Sequence, residues 1–164
     1  ARGSCGNACS GGAGVAVSGQ TVLRVTRVRS LPNPQRPELE PDSWFNEGLA
    51  ETISGGFFPP IESRQGWEEW LAQYGHVNPV SVHKWSDLPG GSRRISAHYP
   101  AFGLAVRYLL DDRGLARTMD DVRQMLIDIG SNGVPFAAAF AEHMGIPLAD
   151  YEATCVERVH SMLR

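Results

Sequence analysis

Two carboxylates on one predicted helix are the residues of this chain best placed to do chemistry. Glu47 and Glu51 lie four positions apart in a short run that Asp42 or Ser43 can cap at its start and that Gly55 can end in the left-handed conformation. Residues at i and i+4 are neighbours on a helix, so the two negative charges oppose helix formation by about 0.2–0.5 kcal/mol. The predicted helix contains no Lys or Arg. We therefore expect a cation or a basic side chain from elsewhere to compensate the two charges.

The apolar residues of this helix predict which face is buried. Phe45, Leu49 and Ile53 recur at i, i+4 and i+8, so they are expected to face a core. Trp44 falls on another face, together with Glu47 and its neighbouring carboxylate. That second face is predicted to carry the functional groups.

The octet Trp-Phe-Asn-Glu-Gly-Leu-Ala-Glu at residues 44–51 resembles the W-x-x-E-G-L-A-E segment of gluzincin-type zinc metallopeptidases, which have a peptidase MA-like domain. Residues 98–114 are similar to the Tyr-bearing helix of that family, which ends in Y-L-x-x-x-x-G. Residues 136–152 are similar to its closing F-x-x-A-F-x-x-x-x-G-x-x-L-x-x-Y/F-E block. The resemblance runs from Trp44 to the C-terminus, with the three blocks in the family's order.

This resemblance implies a function and a set of site residues. It implies hydrolysis of peptide bonds in a peptide or protein substrate, with zinc as cofactor, and family members are often exported. By resemblance, Glu47 is the third zinc ligand, and Glu51 supports the site by holding a ligand histidine. Tyr99 and His98 lie where such peptidases place a donor to the oxyanion of the tetrahedral intermediate.

The chain departs from the family before this octet. The family's His-Glu-x-x-His helix supplies two zinc ligands and the general base, but no histidine precedes His76 here. The other histidines, His83, His98, His143 and His160, include no pair at i, i+4, so they are not expected to rebuild the site. His76 and His83, on a long predicted loop, are expected to be polar surface residues.

Two functional hypotheses follow from this departure. One is a zinc metallopeptidase domain whose HExxH half is missing through truncation, an altered reading frame or mutation. The alternative is a non-catalytic pseudopeptidase that serves as a binding or structural module. In either case the 164 residues are predicted to hold no stoichiometric zinc and to cleave no peptide, because a lone carboxylate binds zinc weakly.

The chain is predicted to be mainly α, with a short irregular or β segment at its N-terminus. Residues 1–41 are rich in Gly and Pro and are expected to be weakly ordered or to contain a strand, whereas residues 42–164 form the helical metallopeptidase-like domain. Ser63 is predicted to start a second helix, and Thr118 with Asp121 to form a capping box for a helix that ends at Gly130.

Composition excludes several functional classes. The formal net charge of −3 provides no electrostatic attraction to nucleic acid, and no apolar run approaches the roughly 20 residues of a membrane span. The sequence does not begin with a signal peptide pattern, and we expect a soluble protein. The three cysteines, Cys5, Cys9 and Cys155, cannot all be paired within one chain, and we expect them to be incidental to function. A Cys5–Cys9 disulfide and a pair of thiol metal ligands both remain open.

Overall fold

The structure is a computed structural model that describes residues 39–56, 58–75, 77–88 and 95–164. Within these ranges the chain is mainly helical and contains no β-strand, which confirms the mainly α prediction. The described part of the chain contains six α-helices: α1 Ser43–Ser54, α2 Arg64–Tyr74, α3 Ile95–Leu110, α4 Met119–Asn132, α5 Phe136–Met144 and α6 Leu148–Met162. Two single 3₁₀ turns, Pro79–Ser81 and Trp85–Asp87, lie between α2 and α3. Apart from residues 39–41, the predicted N-terminal segment 1–41 lies outside the described residues. This part includes the predicted strand, Cys5 and Cys9.

Most helix ends follow local signals in the sequence. The Ser63 hydroxyl accepts from the Gly66 amide at 3.1 Å and starts α2. Thr118 and Asp121 form the predicted reciprocal capping box at the start of α4. Gly55, with φ of 78°, ends α1 in the left-handed conformation.

One predicted helix end was wrong. Gly130 lies inside α4, which continues to Asn132 and ends at Gly133 with φ of 69°. Two glycines follow one another closely here, and the one that ends the helix is the one that adopts the left-handed conformation.

The interface between α1 and α3 is the most extensive helix pair in the described part of the chain. The two backbones approach closely at Gly48: a Cβ there would lie 2.4 Å from the carbonyl oxygen of Phe102. α1 therefore packs directly against α3, the helix that carries Tyr99.

The predicted buried face of α1 was partly wrong. Phe45 is fully buried, but Ile53 is 51% exposed and Trp44 has no exposed surface. The buried residues of the helix are Trp44, Phe45, Gly48 and Glu51. The contact with α3 is therefore centred on Gly48, and the apolar pattern could not register it because glycine has no side chain.

The first turn of α1 also packs against α5 and α6. The Trp44 ring lies 6.3 Å from Phe140 and 5.9 Å from Tyr151 between centroids, and the Phe45 ring lies 5.5 Å from Phe136. The Tyr151 hydroxyl donates to the carbonyl of Ala105 in α3 at 2.7 Å. Contacts with three helices thus fix the orientation of α1, which carries Glu47 and Glu51. No helix in the described ranges has the length and apolar character needed to cross a bilayer.

Candidate functional site

Glu47 on α1 lies close enough to Tyr99 on α3 for its side chain to act on the Tyr99 phenol. Burial, the charge of Glu47, a side-chain hydrogen bond with Glu47 and the charge of Glu51 together raise the pKa of Tyr99 to about 12. At neutral pH the phenol is therefore protonated and donates its hydroxyl. The resemblance named both residues, and the α1–α3 interface brings them together.

Glu51 lies one helical turn beyond Glu47 and is only 8% exposed. Its Oε1 atom accepts from the amide of Phe58 at 3.0 Å, in the loop that follows α1. Within the described ranges, the two carboxylates of α1 are thus met by a phenol and a backbone amide. The cation or basic side chain expected from the sequence is not among these partners.

His98 occupies different surroundings from Tyr99. It is 2% exposed and packs among aromatic rings, 5.6 Å from Trp70, 5.6 Å from Tyr74 and 6.1 Å from Phe102 between centroids. The Tyr99 ring instead stacks on Phe58 at 5.2 Å. The catalytic role suggested for His98 stays a prediction, and its position favours a part in the packing of α2 on α3.

A groove of about 160 Å³ lies beside Glu51. α1 lines it with Glu51 and Thr52, α3 lines it with Gly103 and Arg107, and Ile61 closes it from the following loop. The groove therefore combines an acidic and a basic group with apolar walls, a lining that suits an amide backbone with apolar side chains.

The residues present do not fit a zinc centre at Glu47. A catalytic zinc site uses three protein ligands. In the described part of the chain, two groups of three His, Asp or Glu residues have ligand atoms close enough to share an ion, and neither group includes Glu47 or Glu51. Chemistry at Glu47 must therefore be argued from the phenol and the carboxylates alone.

The two groups that do converge were not predicted. One is Asp42, His83 and Glu152, and the other is Asp128, Glu142 and His143. The expectation that His83 is only a polar surface residue was incomplete: its Nδ1 lies 2.9 Å from Asp42 Oδ2 and 3.8 Å from Glu152 Oε1. No local spacing could reveal this group, since its members come from the start of α1, the loop before α3, and α6.

The second group is built around a well-formed ion pair. His143 Nε2 lies 2.7 Å from Asp128 Oδ2. This hydrogen bond, together with one from Asn132, lowers the pKa of Asp128. The pair joins α4 to α5 and is already satisfied.

Comparisons of this chain with protein-family models, with curated proteins and with solved structures found no match.

Proposed function

We propose that this chain carries the helical part of a gluzincin-type zinc metallopeptidase domain, whose reaction is peptide-bond hydrolysis, and that the 164 residues alone do not catalyse it. The observation that supports the proposal is that Glu47 lies close enough to Tyr99 to help raise the pKa of its phenol. The resemblance assigned these residues, on separate helices, to adjacent roles in one site. Their contact is what such a site requires.

The properties of Tyr99 suit one of these roles. A phenol with a pKa of about 12 keeps its proton at neutral pH, so it serves as a hydrogen-bond donor and not as a base. A neutral donor aimed at a developing oxyanion stabilises the tetrahedral intermediate of acyl transfer. The groove beside Glu51 is lined by Pro100 of α3, the residue that follows Tyr99, and offers a place for part of a substrate chain.

The second candidate function is the pseudopeptidase. The observation that favours it is that both carboxylates of α1 already have donors: Tyr99 for Glu47, and the Phe58 amide for Glu51. In this reading the former site has become an internal hydrogen-bond network, and the groove binds a peptide segment without cleaving it.

Assays of two chains of different length distinguish the two candidate functions. The first is the 164-residue chain, stripped with a chelator, dialysed against zinc and assayed for zinc content and for cleavage of a peptide library. The second is a longer chain that includes any HExxH helix encoded upstream, in whichever reading frame. We expect the first to hold no stoichiometric zinc and the second to hold one zinc and to cleave peptides.

Substitutions assign the roles in the longer chain. Glu47→Gln should reduce zinc occupancy, whereas Tyr99→Phe should keep the zinc and lower kcat by about 10²–10³-fold, as removal of an oxyanion donor does. Tyr108→Phe is the matched control, because Tyr108 lies on the same helix but its ring packs against Tyr151. Absence of any upstream HExxH favours the pseudopeptidase. Zinc-dependent cleavage by the 164-residue chain, abolished by Glu47→Gln, would refute the proposed inactivity.

A further inference from the structure

Three side chains from distant parts of the sequence converge at the start of α1. Asp42 precedes the helix, His83 lies in the loop between the two 3₁₀ turns, and Glu152 lies in the second turn of α6. Their ligand atoms all lie within 4.8 Å of one another. One imidazole nitrogen and two carboxylate oxygens form a donor set that divalent transition metals accept.

The two carboxylates are only partly satisfied by the protein. Asp42 Oδ2 and Glu152 Oε1 are both shielded from solvent, and Asp42 Oδ2 pairs with His83 Nδ1 at 2.9 Å. Glu152 Oε1 lies 3.8 Å from the same nitrogen and has no hydrogen-bond partner among the described residues. A shielded carboxylate oxygen without a donor is costly and calls for a missing partner. A cation between the three atoms would complete the coordination of both oxygens.

Asp42 also does not cap the helix that it precedes. It occupies the N-cap position of α1, where an aspartate normally accepts from an amide of the first turn, yet its side chain makes no capping hydrogen bond. The carboxylate is directed to His83 instead. The interaction of Asp42 with His83, in place of the helix amides, indicates that Asp42, His83 and Glu152 form one ligand group.

The backbone holds the three segments in place without a metal. The Ser43 amide donates to the His83 carbonyl at 3.0 Å, and the Asn78 side chain donates to the Glu152 carbonyl at 2.6 Å. The donor atoms are therefore positioned by their surroundings, which lowers the cost of binding. His83 is 48% exposed, so an ion can enter from solvent.

We propose that Asp42, His83 and Glu152 bind one divalent transition-metal ion, of the Zn²⁺, Co²⁺ or Mn²⁺ class, with water filling the remaining positions. The imidazole ligand favours these ions over Ca²⁺, which takes oxygen ligands. The bound ion ties the start of α1 to α6. The site is separate from Glu47 and does not depend on the function proposed above.

Cobalt titration tests the site, because the visible spectrum of Co²⁺ reports its ligands. The titration uses the full chain, stripped with a chelator, with Cys5 and Cys9 replaced by serine so that their thiols cannot bind the ion. We expect one Co²⁺ per chain, displaced by Zn²⁺, and a higher Tm in its presence. His83→Gln and Glu152→Gln should each weaken binding at least about tenfold, the loss seen when even a supporting residue is removed from a metal site.

Two control variants distinguish this site from the other candidates. Glu47→Gln and Asp128→Asn should bind Co²⁺ as the parent does. Circular dichroism verifies that each variant is folded, and His83→Gln is the decisive one because its side chain is half exposed. Failure to bind Co²⁺ with a Kd below about 1 mM would overturn the proposal and leave an ion pair only. Binding that persists in His83→Gln, or that is lost in Glu47→Gln, would equally overturn it.

Discussion

Replacing Gly48 with alanine is expected to destabilise the protein and to disturb its candidate site together. In the α1–α3 interface, an alanine Cβ at this position would lie 2.4 Å from the carbonyl oxygen of Phe102 and 2.8 Å from Cγ2 of Val106. One obstacle is backbone and the other belongs to a β-branched side chain with little rotamer freedom. Neither can move aside alone, so the two helices must separate.

The size of the effect is a balance of two terms. Overpacking a well-packed core costs about 1–3 kcal/mol, and a backbone obstacle places this position at the upper end of that range. Alanine recovers about 1 kcal/mol relative to glycine within a helix. The expected net loss is about 2 kcal/mol of unfolding free energy, which corresponds to a fall in Tm of roughly 4–8 °C for a chain of this size.

Urea unfolding followed by circular dichroism measures the loss, and Gly130→Ala is the matched control. Gly130 lies within α4, and nothing lies within 4 Å of the position its Cβ would take, so alanine there should stabilise by about 0.5–1 kcal/mol. Separation of the helices in Gly48→Ala should also weaken the bond between Glu47 and Tyr99 and lower the pKa of Tyr99. A Gly48→Ala variant within about 0.5 kcal/mol of the parent would refute the close approach of α1 and α3.

Three further predictions concern other parts of the molecule. In a spectroscopic pH titration, Tyr99 should titrate near pH 12, and its signal is identified by its absence from Tyr99→Phe. Glu47→Gln should lower the pKa of Tyr99 only in part, because burial is the largest cause of the shift. An unchanged pKa in Glu47→Gln would contradict the interaction between the two side chains. Thr118→Ala should cost about 1 kcal/mol in urea unfolding. Because the backbone and hydroxyl of Thr118 lower the pKa of Asp121 below its ordinary 3.8, the contribution of that carboxylate is present above this value and is lost as pH falls through the lower folded pKa. The stability gap between Thr118→Ala and the parent should therefore narrow in acid, and a constant gap would argue against the capping box. Burial raises the pKa of Cys155 to about 12, so with the other two cysteines changed to serine the native chain should resist thiol reagents until it is unfolded, and rapid labelling would show that the thiol is accessible.

The sequence by itself was sufficient for the helices and for many of their ends. Ser63, the Thr118–Asp121 pair and Gly55 act on amides and carbonyls within a few residues, so their effect is encoded locally. The buried residues of α6, Tyr151, Cys155, Val159 and Met162, also follow helical spacing along the sequence. The sequence did not determine whether α4 ends at Gly130 or at Gly133, because either glycine can end a helix.

Other features depended on which helices meet. The apolar pattern placed Ile53 inside and Trp44 on another face, whereas Gly48 sets the contact with α3 and turns Trp44 into the core. Glycine contributes through the absence of a side chain, so a pattern of hydrophobic side chains cannot reveal it. The burial of His98 among aromatic rings likewise comes from the packing of α2 on α3, and its suggested role at the site stays a prediction.

The convergence of side chains was decided by the tertiary structure. The resemblance supplied Glu47 and Tyr99 as members of one site, but the residues' spacing alone did not place them in contact. Asp42, His83 and Glu152 were connected by no local pattern. A helix or a cap forms between residues that are near one another in the chain, whereas a ligand group forms only where folded segments bring distant side chains to within a few ångströms.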